Sequence, residues 1–253
     1  MPAWVGDSRP YLDQWIEEQR VDRTQLTRII EGLESSALRE PSQETNLQRP
    51  EVIIPGLAAK PWWDAGEFPW VADLEASYDA IREEFEAVGG LEATEAVRHP
   101  NSTNLAKAGR WNAYYFHLLG KKFPEHLAAC PETVKALSAL DGVSDSGMCY
   151  FSIMAPSTHV APHCGFINAR VRCHLALVAP KGGRMRVGTE ERSWVEGKAF
   201  LFDDSFDHEV WNDSPSGRAV LLFDVWHPDL TEIEKRALAH MMTVWKTILY
   251  TDN

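Results

Sequence analysis

From residue 147 onward the chain breaks into short β-rich runs: MCYFSIM, ARVRCHLALV, RMRVG, KAFLF, HEVW and RAVLLFDVW. Turn signals such as PKGGR, VEGK and DSPSG separate them. Many short strands at this spacing suggest a sandwich or jelly roll, and small jelly rolls hold ligands in their mouths.

The segments on either side read as helices and loops. In TQLTRIIEGL, Leu26, Ile29, Ile30 and Leu33 share one helical face. Residues 34–50 are polar and lack periodicity, so they read as a linker. A helix is expected over roughly 71–88, with a stripe of Leu74, Tyr78, Ile81, Phe85 and Val88, and Gly89-Gly90 stops it. A short helix follows Pro131, with Val134 and Leu137 inward. A last helix starts near 231, where Thr231 and Glu234 make a capping box and Ile233, Leu238, Met241, Trp245 and Ile248 face inward. The expected class is mainly β with flanking helices (α+β). Its parts are a helical segment and linker over 1–50, helical support over 51–146, a jelly-roll core over 147–228 and a C-terminal helix over 229–253.

Composition narrows the function classes. Hydrophobic residues make up 44% and charged residues 25%, as in ordinary soluble globular proteins. A net charge of -12 argues against nucleic acid or an anionic membrane as partner, since both need a basic footprint. The four cysteines form no C-x-x-C pair, and a chain of this size needs no disulfide staple, so a reducing cytoplasm is expected. The N-terminus lacks a basic region followed by an apolar run, and no stretch of eighteen apolar residues exists to span a membrane.

The candidate site starts on ARVRCHLALV. Side chains on a strand alternate, so Arg170, Arg172 and His174 point one way and Val171, Cys173 and Leu175 the other. Two readings compete: a solvated outer face of a two-layer sheet, or a pocket that binds anions through arginine forks. His163 lies just before this run, and His208 lies just after KAFLF. Two histidines beside strands of one jelly roll fit a metal site. Non-haem iron oxygenases use two histidines and a carboxylate, usually as His-x-Asp or His-x-Glu. Here the element is His163-Cys164-Gly165, and glycine offers no ligand. Asp203, Asp204 or Asp207 could supply the carboxylate, Cys164 could bind as thiolate, or the site has only two protein ligands. Arg218, opening the last run, and Ser152 are candidates to reach a carboxylate bound near the metal, while a surface salt bridge is the plain alternative for Arg218.

These residues carry a resemblance. The stretch SIMAPSTHVAPHCGFINARVRCHLALVAPKGG and the stretch WVEGKAFLFDDSFDHEVWNDSPSGRAVLLFDVWHPDLT closely resemble the aspartyl/asparaginyl β-hydroxylase family, nearly continuously from about 148 to 231. The likeness implies a double-stranded β-helix (cupin-like jelly roll) that uses Fe(II), O2 and 2-oxoglutarate and releases succinate and CO2. It implies a metal held by His163 and His208 alone, with Gly165 the normal family residue. It further implies that Arg218 and Ser152 hold the distal carboxylate of 2-oxoglutarate, that Arg172 and His174 engage its other end, and that Arg170 contacts a substrate carboxylate. The strand of cations then looks like the floor of a site for two acidic molecules.

The substrate stays open between a free amino acid, a tethered amino acid and a peptide bearing an Asp- or Asn-like group. A 2-oxoglutarate-dependent halogenase is an alternative, since glycine at 165 leaves room for chloride. A catalytically silent jelly roll that binds an organic acid is another. Of the tryptophans, Trp62, Trp63, Trp111 and Trp226 read as core, with Trp111 the one to line a substrate mouth. His159, His174 and His227 could suggest a three-histidine zinc site, but His227 in WHPDL reads as a capping or packing residue. Asp203 and Asp204 read as turn groups or groups that orient a histidine. An oligomer is compatible with all of this.

Overall fold

Alternation on the long strands decides the layers. A computed structural model describes residues 3–38, 47–99 and 101–249. Its helices are α1 (Ala3–Gln19), α2 (Thr27–Leu38), α3 (Val71–Ala76), α4 (Tyr78–Ala87), α5 (Ser102–Leu105), α6 (Pro124–Ala129), α7 (Pro131–Leu137) and α8 (Glu232–Leu249). Its strands are β1 (Trp62–Trp63), β2 (Val97–Arg98), β3 (Ala106–Ala108), β4 (Trp111–Leu118), β5 (Lys121–Lys122), β6 (Met148–Met154) and β7 (Thr158–His163), followed by β8 (Arg170–Val178), β9 (Gly183–Val187), β10 (Glu190–Arg192), β11 (Ala199–Phe202), β12 (His208–Asn212) and β13 (Arg218–Trp226).

Two antiparallel sheets face each other. The larger has the order β1-β11-β8-β13-β6-β4-β2, with β5 on β4, and the smaller has the order β10-β9-β12-β7-β3. Tyr150, Met154, Ala176, Phe202, Val220 and Leu222 of the larger sheet meet Val160, Met185, Val187 and Val210 of the smaller in one apolar layer. The opposite face of the larger sheet, with Phe151, Val171, Cys173, Leu175, Leu221 and Phe223, packs on Leu74, Ile81, Phe85 and Leu137 of the helices. Both faces of β8 are therefore dry, and the cations on its inner face lie between the sheets. This is a jelly roll backed by helices. The reading of β8 as having a solvated outer face is corrected: Arg170, Arg172 and His174 are all buried.

The strands begin before residue 147. The run WNAYYFHL forms β4, beside β6 in the larger sheet. It is aromatic on both faces, so no period of two marks it as a strand. His163, which precedes the ARVRCHLALV run in the sequence, ends β7. The helix expected over 71–88 is two helices joined at Ser77, whose N–H bonds back to Asp73 and Leu74. Gly89 and Gly90 both take positive φ, as expected for a helix stop.

The ends of the chain form a second layer. Leu12, Trp15 and Ile16 of α1 pack with Leu26, Ile29, Leu33 and with Leu238, Met241 and Trp245 of α8. The capping box of α8 is present, with Thr231 N donating to Glu234 Oε2 over 2.8 Å. Of the expected linker, 39–46 lie outside the described residues. Residues 47–54 run along the two loops that hold the histidines: Asp207 N donates to Leu47 O, Arg49 N to Ser205 O and Val52 N to Phe166 O. Among the described residues no helix is long and apolar enough to cross a membrane.

Candidate active site

Strand register brings the two histidines together. His163 ends β7 and His208 opens β12, and their Cα atoms are direct partners across the ladder. Side chains of directly opposed residues share a face, and the two rings lie 4.0 Å apart between centroids. Nδ1 of His163 donates to Ala161 O and Nδ1 of His208 to Phe206 O, each over 2.9 Å. A carbonyl can only accept, so each Nδ1 carries the proton and each Nε2 keeps its lone pair, as metal ligation requires. Burial lowers the pKa of both rings, His208 strongly, and the neighbouring His163 adds to that shift. Neutral rings are the ligating form.

The other candidate ligands are committed elsewhere. Asp203 accepts from Ser205 N at 2.9 Å and from Gln48 at 3.3 Å. Asp207 is held by Arg49 at 2.5 Å and by Arg186 at 2.6 Å. Burial raises the Cys164 thiol pKa, which works against a thiolate. No cluster of three or more His, Cys, Asp or Glu fit for a metal occurs among the described residues. Gly165 explains itself sterically. A Cβ there would fall on the Asp204 carboxylate, 2.5 Å from its Cγ. Asp204 thus sits where a side chain of residue 165 would begin.

Asp204 in turn belongs to a buried quartet. Arg170 reaches it at 2.8 Å and Arg172 at 3.0 Å. Arg172 also binds Asp224 in a fork, at 2.7 and 3.0 Å, and Asp224 accepts from Met148 N at 2.8 Å. The pairing follows from register, because Asp224 on β13 is the Cα partner of Arg172 on β8. Two cations and two carboxylates balance in the interior. Removing one member strands a buried charge, so Asp224→Asn is expected to lower unfolding free energy by about 3–5 kcal/mol in denaturant titration.

Arg218 has no such balance. It is 2% exposed and makes no ion pair among the described residues. Its guanidinium donates to Ser152 Oγ at 3.3 Å and lies 4.0 Å over the Trp194 ring, while its Nε is buried without a partner. Burial pushes its pKa down to about 9, which leaves it cationic at neutral pH. Ser152 Oγ also accepts from Trp111 Nε1 at 3.1 Å. His174 accepts from Trp194 at 3.4 Å through Nδ1, and its Nε2 is buried and unpartnered.

These groups line two adjoining spaces. The inner one, 370 Å³, has His163, His208, Arg172, His174, Ser152 and Arg218 on its wall. The outer one, 890 Å³, adds Arg170, Glu51, His99, Cys164 and Phe166. Trp111, Tyr150, Arg172 and both paired histidines border both spaces. All the residues expected at the site are therefore brought together, with Arg170 on the outer space alone. Their charges are not equally available. Arg170 and Arg172 are matched by Asp204 and Asp224, whereas Arg218 is a buried cation with no acid partner among the described residues. The three-histidine alternative does not assemble: His159 binds Glu209 at 2.7 Å, and His227 bonds to Ala58 O at 3.0 Å and accepts from Asp229 N.

Sequence reasoning passed over Asp224, His99, Glu51 and Tyr150. Asp224 had a signal, a lone acid in the apolar run RAVLLFDVW. His99 and Glu51 come from irregular segments whose approach to the site is tertiary and carries no local pattern.

Comparison with known proteins adds a family. Residues 75–228 match the family described as aspartyl/asparaginyl beta-hydroxylase. The aspartyl/asparaginyl beta-hydroxylase of Mus musculus is 38% identical over 197 residues, covering 76% of this chain and 26% of its own length. Aspartate beta-hydroxylase domain-containing protein 2 of Rattus norvegicus is 32% identical over 222 residues, 84% of this chain and 64% of its own. The ornithine lipid ester-linked acyl 2-hydroxylase of Rhizobium tropici is 33% identical over 178 residues, 68% of this chain and 62% of its own. The chain spans about a quarter of the mouse hydroxylase and just under two thirds of the other two.

Proposed function

The chain belongs to the aspartyl/asparaginyl β-hydroxylase family, and from that premise we propose that it is an Fe(II)- and 2-oxoglutarate-dependent hydroxylase. The observation that carries the reading is Arg218, a buried cation without an acid, across one cavity from two histidines whose Nε2 atoms are free to bind metal. A dicarboxylate fits that arrangement. Arg218 and Ser152 would take its distal carboxylate, and its 2-oxo acid end would lie toward His163 and His208. The unpartnered Nε2 of His174 and the wall of Trp111 would fix its course.

When bound, the iron supplies the oxidation, coupling decarboxylation of 2-oxoglutarate to insertion of one oxygen atom from O2 into a substrate C–H bond. The chain supplies position and charge. His163 and His208 hold the metal, their tautomers fixed by Ala161 and Phe206. The Arg–Asp quartet keeps Asp204 against Gly165. The outer space would take the substrate, and the carbon attacked would be close to a carboxyl or carbonyl group of an amino acid, a tethered amino acid or a peptide. The names of the mouse and Rhizobium tropici relatives, a β-hydroxylase of aspartyl and asparaginyl groups and an acyl 2-hydroxylase, describe chemistry of that kind. Halogenation is the weaker reading, because the Asp204 carboxylate already fills the space beside Gly165 that the missing side-chain ligand would leave open to chloride.

The first test is anaerobic addition of Fe(II) and 2-oxoglutarate to the metal-free protein. A visible metal-to-ligand charge-transfer band is expected, lost in His163→Ala and weakened in Arg218→Met. If no band forms at saturating ligand, the oxygenase reading fails and a silent organic-acid binder takes its place.

A further inference from the structure

The outer space contains a third imidazole that the cofactor chemistry does not use. His99 is 3% exposed, and its ring stacks on Trp111 at 3.7 Å between centroids and 9° between planes. Its Nδ1 accepts from Asn101 N at 3.3 Å. Nδ1 is therefore unprotonated, and the ring proton resides on Nε2. That Nε2 is buried, has no hydrogen-bond partner among the described residues, and belongs to a ring on the wall of the outer space. Burial, with Arg172 nearby, lowers the pKa to about 3, so the ring is neutral. An unsatisfied buried donor costs free energy comparable to a lost hydrogen bond. Such a cost is expected where a ligand completes the bond.

We propose that His99 is a substrate-positioning residue, whose Nε2–H donates to a neutral oxygen acceptor of the substrate, an amide or ester carbonyl, in the outer space. This rests on the hydroxylase reading and narrows its substrate. Neutrality of the acceptor follows from the charges around it. Arg170 and Arg172 are already matched in charge by Asp204 and Asp224, although Arg170 Nη1, 3.6 Å from Asp224, has no hydrogen-bond partner among the described residues. Glu51, which has no cationic side chain as partner among the described residues, adds a carboxylate to the same wall. No unmatched cation faces the outer space among the described residues, so an anionic acceptor would be poorly compensated there. The stack on Trp111 fixes the direction of the donor, and Trp111 is itself tied to Ser152 in the inner space. A substrate carbonyl held by His99 would therefore be registered against the organic acid beyond it.

The test uses the full chain labelled with 15N-histidine and titrated with N-acetyl-L-asparagine amide. The His99 signal is assigned by its loss in His99→Phe, which keeps a ring to stack on Trp111 but removes the donor. The Nε2–H resonance is expected to shift with probe saturation. His99→Phe is expected to bind the probe about tenfold more weakly, and His99→Gln, which restores a neutral N–H, to recover most of the loss. The corresponding N-acetyl-L-aspartate amide should bind more weakly than the asparagine compound. Equal binding by wild type and His99→Phe, an unmoved resonance, no binding by the wild type, or preference for the aspartate compound would each overturn the proposal. The charge-transfer band with Fe(II) and 2-oxoglutarate should be the same in His99→Phe, so failure of the cofactor reading would be seen separately.

Discussion

His208→Ala is expected to abolish succinate formation while leaving the protein folded. A site with three protein ligands keeps two when one is lost; this one would keep only His163, because no cluster of three or more potential ligands exists among the described residues. The loss should therefore exceed the roughly 10–100-fold typical of removing a partner that merely orients a ligand. Unfolding should change little, because the His208 ring faces a cavity, and among the described residues its ring makes a single hydrogen bond, to Phe206 O. The measurements are succinate release by mass spectrometry, iron retained after dialysis, and the denaturant midpoint. His159→Ala is the control: that ring also lies on the smaller sheet, but it pairs with Glu209, away from the cavity, and should keep full turnover. Succinate formation by His208→Ala at the wild-type rate would remove the two-histidine site from the mechanism.

The parts of this molecule that sequence makes legible are those whose information is local. The strand Arg170–Val178 shows its two faces through strict alternation, and Thr231 with Glu234 marks the start of α8. The strand Trp111–Leu118 does not, because a segment buried on both faces has no polar side to reveal its period. The helix Ala3–Gln19 falls in the stretch read as helical, but its bounds are not legible, because Pro10 lies inside it.

The site divides along the same line. His163, His208, Arg172 and Arg218 can be chosen from the sequence because a motif links them. Their electrostatic state cannot. Whether a buried arginine is free or paired depends on what the neighbouring strand places opposite it. Arg172 meets Asp224 through register and Asp204 through a loop that Gly165 allows to approach. A strand carrying three potential cations therefore does not offer three anion sites. It offers a neutralised pair, with the unmatched charge on a different strand, at Arg218.

That difference makes Arg218→Met the sharpest single substitution. In wild type the guanidinium is desolvated, and among the described residues it meets Ser152 Oγ and the Trp194 ring. If it is a structural strut, removing it should destabilise the fold and leave ligand binding alone. If it is held in waiting for a carboxylate, two effects of opposite sign are expected. Affinity for 2-oxoglutarate should fall by at least about 30-fold, since losing one partner of a buried charge pair costs about 2–5 kcal/mol. Stability without ligand should rise by about 1–3 kcal/mol, because an unbranched apolar side chain replaces an uncompensated buried charge. Calorimetric titration of 2-oxoglutarate into the anaerobic iron-loaded protein measures the first, and denaturation of the ligand-free protein the second. Weaker binding together with a more stable fold is the signature of a residue placed for a ligand at the expense of the empty protein. A less stable variant with unchanged affinity would assign Arg218 to the architecture and leave the inner cavity without its anion anchor.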